Sequence, residues 1–545
     1  MKVFLLHRDQ DFGVKPELRD AIFEAMVSGD LFAIVNVRRD RERDRGPRTA
    51  LAPTGNDAVL TQDLELDTLW NAMAGGDEFL FEVAKRAVLS SLTDPDAIVY
   101  RQRVLEDCLA HPGVVRQLYD LAVEALENER RAGGSLWFGA RPDSILMYSV
   151  QVLKLHVGVL RRLRQIADEQ AASFGSEGFT RFFAMLREEL ADDYLQDVEQ
   201  HLRELEFRRG VFESAGLGKG LKGRGYTVRR MREQHWTERL PFGNRPDGYS
   251  FTIPPRDENG FKALEEIRSR GINLVANSVA QSADHVKSFF GMLRLELAFY
   301  LGCLNLHDRL EVKGEPFCFP EPLAAGQPSL TAEGIYDVCL ALHLGNPVVG
   351  NGINADGMSL VMITGANQGG KSTMLRSLGL AHLMMQSGMF VGARSLRADV
   401  SAGVFTHYKR EEDVTMEGGK LDEELSRMSE IADQISGHSI LLCNESFAST
   451  NEREGSEIAR QIIRAMLDKQ VKVFFVTHMY DLAHGFFEQH LDNTLFLRAE
   501  REPDGRRTFK LIVGEPLPTS YGEDSYRRIF GRAGTAPAAV AHGQW

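Results

Sequence analysis

Apolar and polar positions in this chain follow two different periods, and the change comes near residue 330. From about residue 60 to 205 the apolar residues recur at helical spacing. Leu186, Leu190, Val198, Leu202 and Leu205 fall on one stripe, and Glu124, Glu127, Arg130 and Arg131 mark the solvated side of an earlier helix. The same period returns from Glu258 to about Leu304, where residues 286–300 are strongly apolar on one side. Between these stretches, six glycines from 210 to 225 and Pro241, Pro246, Pro254 and Pro255 break any continuous long helix. The pattern predicts two helical arms with an irregular insert at about 206–260.

Beyond residue 330 short apolar runs alternate with helices, the signature of a parallel α/β sheet. Residues 359–364, 439–443 and 471–476 are the buried-strand candidates. The expected division is an N-terminal segment 1–59, a helical domain 60–327 and an α/β domain 328–545. The first segment mixes a possible strand, Phe32 to Val37, with the charged run Arg38 to Arg45, and no function is legible in it.

Composition narrows the classes. A length of 545 residues suits three or four domains. No uninterrupted apolar stretch reaches the roughly 18–20 residues that cross a bilayer, so no membrane is expected. The apolar run at Met1 is too short for a secretory signal. Cys108, Cys303, Cys318, Cys339 and Cys443 show no C-x-x-C spacing, which fits buried thiols in a reducing cytoplasm. A net charge of −13 argues against coating nucleic acid by bulk electrostatics. It leaves local patches open, because charges are screened beyond about 8–10 Å. One such patch holds Lys219, Lys222, Arg224, Arg229, Arg230 and Arg232 with no acid among them.

The most specific chemistry is at Gly365, Ala366, Asn367, Gln368, Gly369, Gly370, Lys371, Ser372 and Thr373. This run fits G-x-x-x-x-G-K-[S/T], the loop whose backbone N–H groups cradle nucleotide phosphates. It lies between a buried-strand run and a helix, as that chemistry requires, since the helix N-terminus adds its dipole to the site. Lys371 is expected to reach the β- and γ-phosphates and Ser372 to sit on Mg²⁺, with ATP or GTP as the ligand. The second strand run ends in Asn444 and Glu445. Phosphate-loop ATPases place there a residue that holds the Mg²⁺ shell and a glutamate that orients the attacking water. Asn444 accepts a hydrogen bond but brings no charge, so weaker Mg²⁺ coupling is expected. A third run ends in Thr477 and His478, where a histidine can sense the γ-phosphate. Loop, then Asn-Glu, then His is the order of ABC-type ATPases, not of kinases or small GTPases.

Taken together, these residues resemble the MutS family of DNA mismatch-repair ATPases. Residues 364–373 compare with the family's T-G-P-N-M-G-G-K-S-T, and residues 444–455 with its D-E-x-G-R-G-T-S-T-x-D-G. Residues 476–482 are similar to A-T-H-Y-x-E-L, and residues 510–522 to K-L-x-x-G-x-x-x-x-S-Y-G. More loosely, Leu64 to Leu69 and Leu92 to Ile98, followed by Arg101 and Gln102, look like the start of the family's lever and core domain. The resemblance implies a multidomain fold, with a long-helix all-α core and lever region carrying a clamp-like insert, then an α/β P-loop ATPase of ABC type. It implies ATP and Mg²⁺ as cofactors, duplex DNA as partner, and a homodimer whose composite sites bring Ser449, Thr450 and Asn451 to the other subunit's nucleotide. It implies a cytoplasmic protein, on the nucleoid when DNA-bound. The basic insert fits two readings, a DNA-gripping clamp or a loop made soluble by charge.

The departures set limits. There is no room before residue 60 for the family's mismatch-reading domain and no Phe-x-Glu wedge, so mismatch discrimination is not expected. No nuclease-like extension is expected after the ATPase. Asn444 stands for the family's aspartate, Ala448 for the arginine of its G-R-G, and residues 419–423 replace its G-x-S-T segment. Turnover is therefore expected to be slow or altered. A second reading is a nucleotide-gated scaffold with weak hydrolysis and a protein partner.

Overall fold

A computed structural model describes residues 1–9, 55–133, 141–208, 210–230, 251–326, 328–366, 368–410, 419–502 and 507–518. The run Phe32 to Arg45, Arg232, Asn367 and the end of the 510–522 motif lie outside the described residues. The protein is helix-rich and multidomain, with mixed sheets. It forms two compact units, one from Met1–Thr49 with His111–Leu297 and one from Ala50–Ala110 with Ala298–Trp545. These units do not follow the expected boundaries at 59/60 and 327/328.

The reason lies in what the helices before residue 110 bury. These are α1 (Gly55–Asp63), α2 (Leu66–Ala74), α3 (Glu78–Leu89) and α4 (Pro95–Ala110). Arg101 on α4 is wholly buried; its guanidinium donates to the Ser387 carbonyl (2.9 Å) and lies over the Phe299 ring. Gln102 donates to the Pro320 carbonyl (3.0 Å), and Leu92 N–H to the Gln386 carbonyl (2.8 Å). These segments thus satisfy backbone groups of the second unit that would otherwise be orphaned in its interior.

The first unit contains α5 (Pro112–Gly133), α6 (Pro142–Gln170), α7 (Glu177–Glu189) and α8 (Asp192–Glu204), with an aromatic cluster of Phe174, Phe179, Phe182 and Phe183 at α7. Ser176 caps α7 by accepting from Phe179 N–H (3.3 Å). The insert contains an antiparallel hairpin, β1 (Phe212–Leu217) and β2 (Gly223–Arg229), in register Phe212 to Arg229. Helix α9 (Glu258–Val312) follows, and its first part belongs to this unit. It is long and apolar enough to cross a membrane, which no uninterrupted apolar run had suggested. However, 78% of its most apolar window is buried inside the protein, as in a core helix.

The second unit holds two sheets. The smaller orders β3 (Glu321–Leu323), β7 (Ser395–Asp399), β4 (Leu330–Ile335) and β5 (Asn351–Asn354). The larger has the order β12-β11-β6-β10-β9-β8, from β6 (Leu360–Thr364), β8 (Val404–Tyr408), β9 (Ile440–Asn444), β10 (Lys472–Val476), β11 (Thr494–Arg501) and β12 (Arg507–Val513). Its pairings are parallel except for the edge pair β11–β12. The residues of β6, β8 and β10 are buried throughout, as expected where helices cover both faces of a parallel sheet. Those covers include α11 (Lys371–Gln386), α12 (Lys420–Gln434), α13 (Glu452–Asp468) and α14 (Tyr480–Phe487), with the short α10 (Val338–His343) earlier in the chain.

Lys472, 5% exposed, pairs with Asp399 at 2.9 Å and also donates to the Ser329 carbonyl. Removing one partner of such a pair strands the other in low dielectric. Asp399→Ala is therefore expected to destabilise the protein by about 3 kcal/mol, read as a shift of the urea midpoint. A loss below about 0.5 kcal/mol would place the pair in the class of weak surface bridges.

Candidate nucleotide-binding site

The site begins with strand register. Val476 on β10 pairs with Ile363 on β6 and with Asn444 on β9. Three strands therefore end at one level of one sheet edge, and their next residues emerge side by side. Thr477 N–H donates to the Ile363 carbonyl (3.1 Å), and Glu445 N–H to the Val476 carbonyl (2.9 Å).

The loop from β6 to α11 turns back through left-handed backbone at Gly365 (φ 107°), Gln368 (φ 57°) and Gly370 (φ 88°). Glycine is favoured at the first and last of these by φ, and at Gly365 also by space. A Cβ on Gly365 would lie 2.8 Å from the Ala499 nitrogen, and one on Gly370 would lie 3.2 Å from the Phe509 carbonyl oxygen. Gly370 is the N-cap of α11 and makes no side-chain cap hydrogen bond. The first-turn N–H groups thus form a donor cluster at the positive end of the helix dipole.

Lys371, 5% exposed, lies over this loop and donates to the carbonyls of Gly365 and Ala366, both at 3.0 Å. Burial pulls its amine down to about 8, with Glu445 opposing and Arg507 adding to the fall. Ser372 Oγ donates to Asn444 Oδ1 at 2.9 Å, joining the loop to the end of β9. His478 Nε2 lies 2.9 Å from Glu445 Oε1. That hydrogen bond keeps the Glu445 carboxyl below its ordinary range, outweighing burial. Glu445 has φ 55°, a strained conformation for a residue with a side chain.

The structure brings Gly365, Ala366, Gln368, Gly369, Gly370, Lys371, Ser372, Thr373, Asn444, Glu445 and His478 to this edge. Ser449, Thr450 and Asn451 follow the same strand but are engaged within the chain. Ser449 Oγ donates to Glu424 Oε1 (3.0 Å), Thr450 hydrogen-bonds Glu454, and Asn451 caps α13 by accepting from Glu454 N–H (3.0 Å). Lys219, Lys222, Arg224, Arg229 and Arg230 sit exposed on or beside the hairpin of the other unit, where Arg230 pairs with Glu204 and Arg229 with Ser214 Oγ.

Two features escaped sequence reasoning. Phe509 is 48% exposed with φ 60°, and its Cβ would lie 3.6 Å from a Cβ on Gly370. Asn351 holds its strand in place, donating to the Phe509 carbonyl (3.1 Å) and accepting from Leu511 N–H (2.8 Å). No local signal marks either residue, because both depend on how the edge strand β12 pairs. The second feature is His407, described below.

The donor set suits a hard divalent cation. A hydroxyl and an amide oxygen 2.9 Å apart, with a carboxylate on the following residue, match the oxygen-only preference of Mg²⁺. Among the described residues, the cluster of His, Asp and Glu close enough to share an ion is elsewhere, at His307, Asp308 and Glu311.

The family described as "MutS2 N-terminal domain" matches residues 93–313, and "MutS domain V" matches residues 361–525. The chain is 25% identical to MutS protein homolog 4 of Mus musculus over 297 residues, 51% of this chain and 29% of that protein. It is 28% identical to Endonuclease MutS2 of Streptococcus sanguinis over 234 residues, 42% of this chain and 29% of that protein. For MutS protein homolog 4 of Homo sapiens the identity is 24% over 296 residues, 51% of this chain and 30% of that protein. The chain thus spans less than a third of the length of these relatives. It belongs to the MutS family.

The depressed Lys371 amine gives the site a pH signature. Well below pH 8 the amine is charged and binds anions fully; above it the free amine loses its charge, and affinity falls until the higher pKa of the bound state is reached. Affinity for a triphosphate anion is expected to be flat from pH 6 to 7.5 and to fall about tenfold per unit above pH 8. Titrations across pH 6–9.5 check this, and constant affinity to pH 9.5 would contradict it.

Proposed function

We propose that this MutS-family chain is an ATP-dependent DNA-binding protein in repair or recombination, in which nucleotide state rearranges a dimer around duplex DNA. The observation that carries the reading is the convergence of Lys371, the Ser372–Asn444 contact and the Glu445–His478 pair at one sheet edge. MutS-family proteins are ATPases, and each of these groups has a task in that chemistry.

The loop N–H groups and the α11 N-terminus hold the β- and γ-phosphates of ATP, with Lys371 already aimed over the loop by two carbonyls. Ser372 and Asn444 would hold Mg²⁺, which would supply charge neutralisation at the phosphates. Glu445, ionised at neutral pH, accepts a proton from the attacking water and orients it. His478 holds Glu445 in place and senses the γ-phosphate through its ring. Phe509 offers an exposed aromatic face beside the loop on which a base can stack.

Ser449, Thr450 and Asn451 are assigned to the nucleotide of the other subunit in a homodimer. Lys219, Lys222, Arg224, Arg229 and Arg230, with Arg232 nearby in sequence, are assigned to DNA phosphates. The expected location is the cytoplasm, on the nucleoid when DNA is bound. One observation favours a second reading. The neutral Asn444 amide bonded to Ser372 gives the cation no negative ligand on β9, as in a nucleotide-gated scaffold that hydrolyses slowly and works through a protein partner.

Lys371→Ala is expected to weaken ATP binding by roughly 100-fold, about 2.7 kcal/mol. Glu445→Ala is expected to keep ATP bound while turnover falls by about 10²–10³. Normal turnover in either variant would refute the assignment.

DNA affinity is expected to fall with salt at a log–log slope of about −0.9 per phosphate contacted. Replacing Lys219, Lys222 and Arg224 by Ser should flatten that slope by about 3. No DNA binding at about 50 mM salt favours the scaffold.

A further inference from the structure

His407 lies on β8, in the same sheet as the nucleotide loop, and is wholly buried. Its ring bridges two elements that flank the Glu445 turn. Nε2 is 2.9 Å from the Glu424 carbonyl on α12, which can only accept, so Nε2 carries the proton. Burial, helped by Arg427, pulls the ring down to about 4, which keeps it neutral and leaves Nδ1 as an acceptor. Nδ1 is 2.7 Å from Ser446 Oγ, which is also 2.7 Å from the His407 carbonyl. The Ser446 hydroxyl has one proton to donate, shared between the two acceptors of His407, so the residue after Glu445 is tied to β8 through His407.

The turn is gripped again further along. The Phe447 ring stacks on the His407 ring, with centroids 5.2 Å apart and planes 20° from parallel. The buried Glu424 carboxyl accepts from Ser449 Oγ (3.0 Å). On the opposite side, a Cβ on Gly455 of α13 would lie 2.4 Å from the Phe447 carbonyl oxygen. Glu445 and Phe447 both adopt left-handed backbone, φ 55° and 62°. Such residues persist only where their surroundings over-determine them. His407 and Glu424 supply that constraint, although neither makes a hydrogen bond to the Glu445 side chain.

We propose that His407 is the positioning residue for Glu445. Bridging Ser446 and the α12 backbone, it locks the turn that aims the Glu445 carboxylate and presents Ser449 to Asn451. The setting of α12 against β8 thereby controls the geometry of the hydrolytic step. The inference rests on the ATPase reading above and deepens it, because the chain's own fold holds the handle on hydrolysis.

The test separates positioning from general stability. His407→Ala is expected to lower ATP turnover about 10- to 100-fold, the effect of a small misplacement of a reacting group. The affinity for ATP with Mg²⁺ should stay within about twofold, since the loop and Lys371 are untouched. Ser446→Ala should give a similar loss, and the double variant no more than the larger single loss, because both break one contact. His407→Gln, whose amide reaches as far as Nε2, should recover part of the turnover and carries the test if His407→Ala does not fold.

Amide hydrogen exchange supplies a readout without turnover. In His407→Ala the amides of 445–449 should lose protection while those of β6 and α11 keep it. Turnover within twofold of the native chain, a loss confined to nucleotide affinity, additive losses, or unchanged protection at 445–449 would each overturn the inference. If the native chain binds ATP but never hydrolyses it, the ATPase reading fails instead, and the exchange measurement still decides what His407 does.

Discussion

The rest of the structure depends on the parallel pairing of three buried strands, in which Val476 is hydrogen-bonded between Ile363 and Asn444. Each strand is a short, almost wholly apolar run that is stable only when helices cover both of its faces. Once they are paired in this register, the residues after each strand have nowhere to go but the same edge. A slip of one residue would turn the whole set of side chains through the sheet and scatter the site. The chemistry at the edge is thus a consequence of packing.

The site is also built on backbone that other residues must hold. Gly365 and Gly370 allow β11 and β12 to close on the loop before α11, where an added Cβ would come within 2.8 Å of the Ala499 nitrogen and 3.2 Å of the Phe509 carbonyl oxygen. Glu445 has no such freedom, and its left-handed conformation is stabilised from outside by the His407–Ser446 and Glu424 contacts. The helices before residue 110 do comparable work for the strand and helix ends, through Arg101, Gln102 and the Leu92–Gln386 contacts. That is why they belong to the second compact unit although sequence periodicity groups them with the long helices.

Much of this was legible in the sequence, for a physical reason. Phosphate loops, strand-end carboxylates and switch histidines are local patterns set by backbone geometry. Gly365 to Thr373, Asn444, Glu445 and His478 could therefore be named from spacing alone, and their strands from short apolar runs. What was not legible depends on partners distant in sequence. The parallel order of β6, β10 and β9, the closeness of Phe509 to Gly370, and the burial of His407 between Ser446 and Glu424 each join segments 17 to 139 residues apart. The apolar stripe of α9 shows the opposite hazard. It satisfies the length and composition of a membrane span, yet most of its apolar window is inside the protein.

The central claim is that the carboxyl edge of this sheet is a nucleotide phosphate site that works with magnesium. Calorimetric titration of the intact native chain with ATP, with and without Mg²⁺, tests it most directly. One saturable site per chain is expected, with tighter binding when Mg²⁺ is present. An absence of saturable heat at any nucleotide concentration up to about 1 mM, the weak limit near −4 kcal/mol, would contradict it.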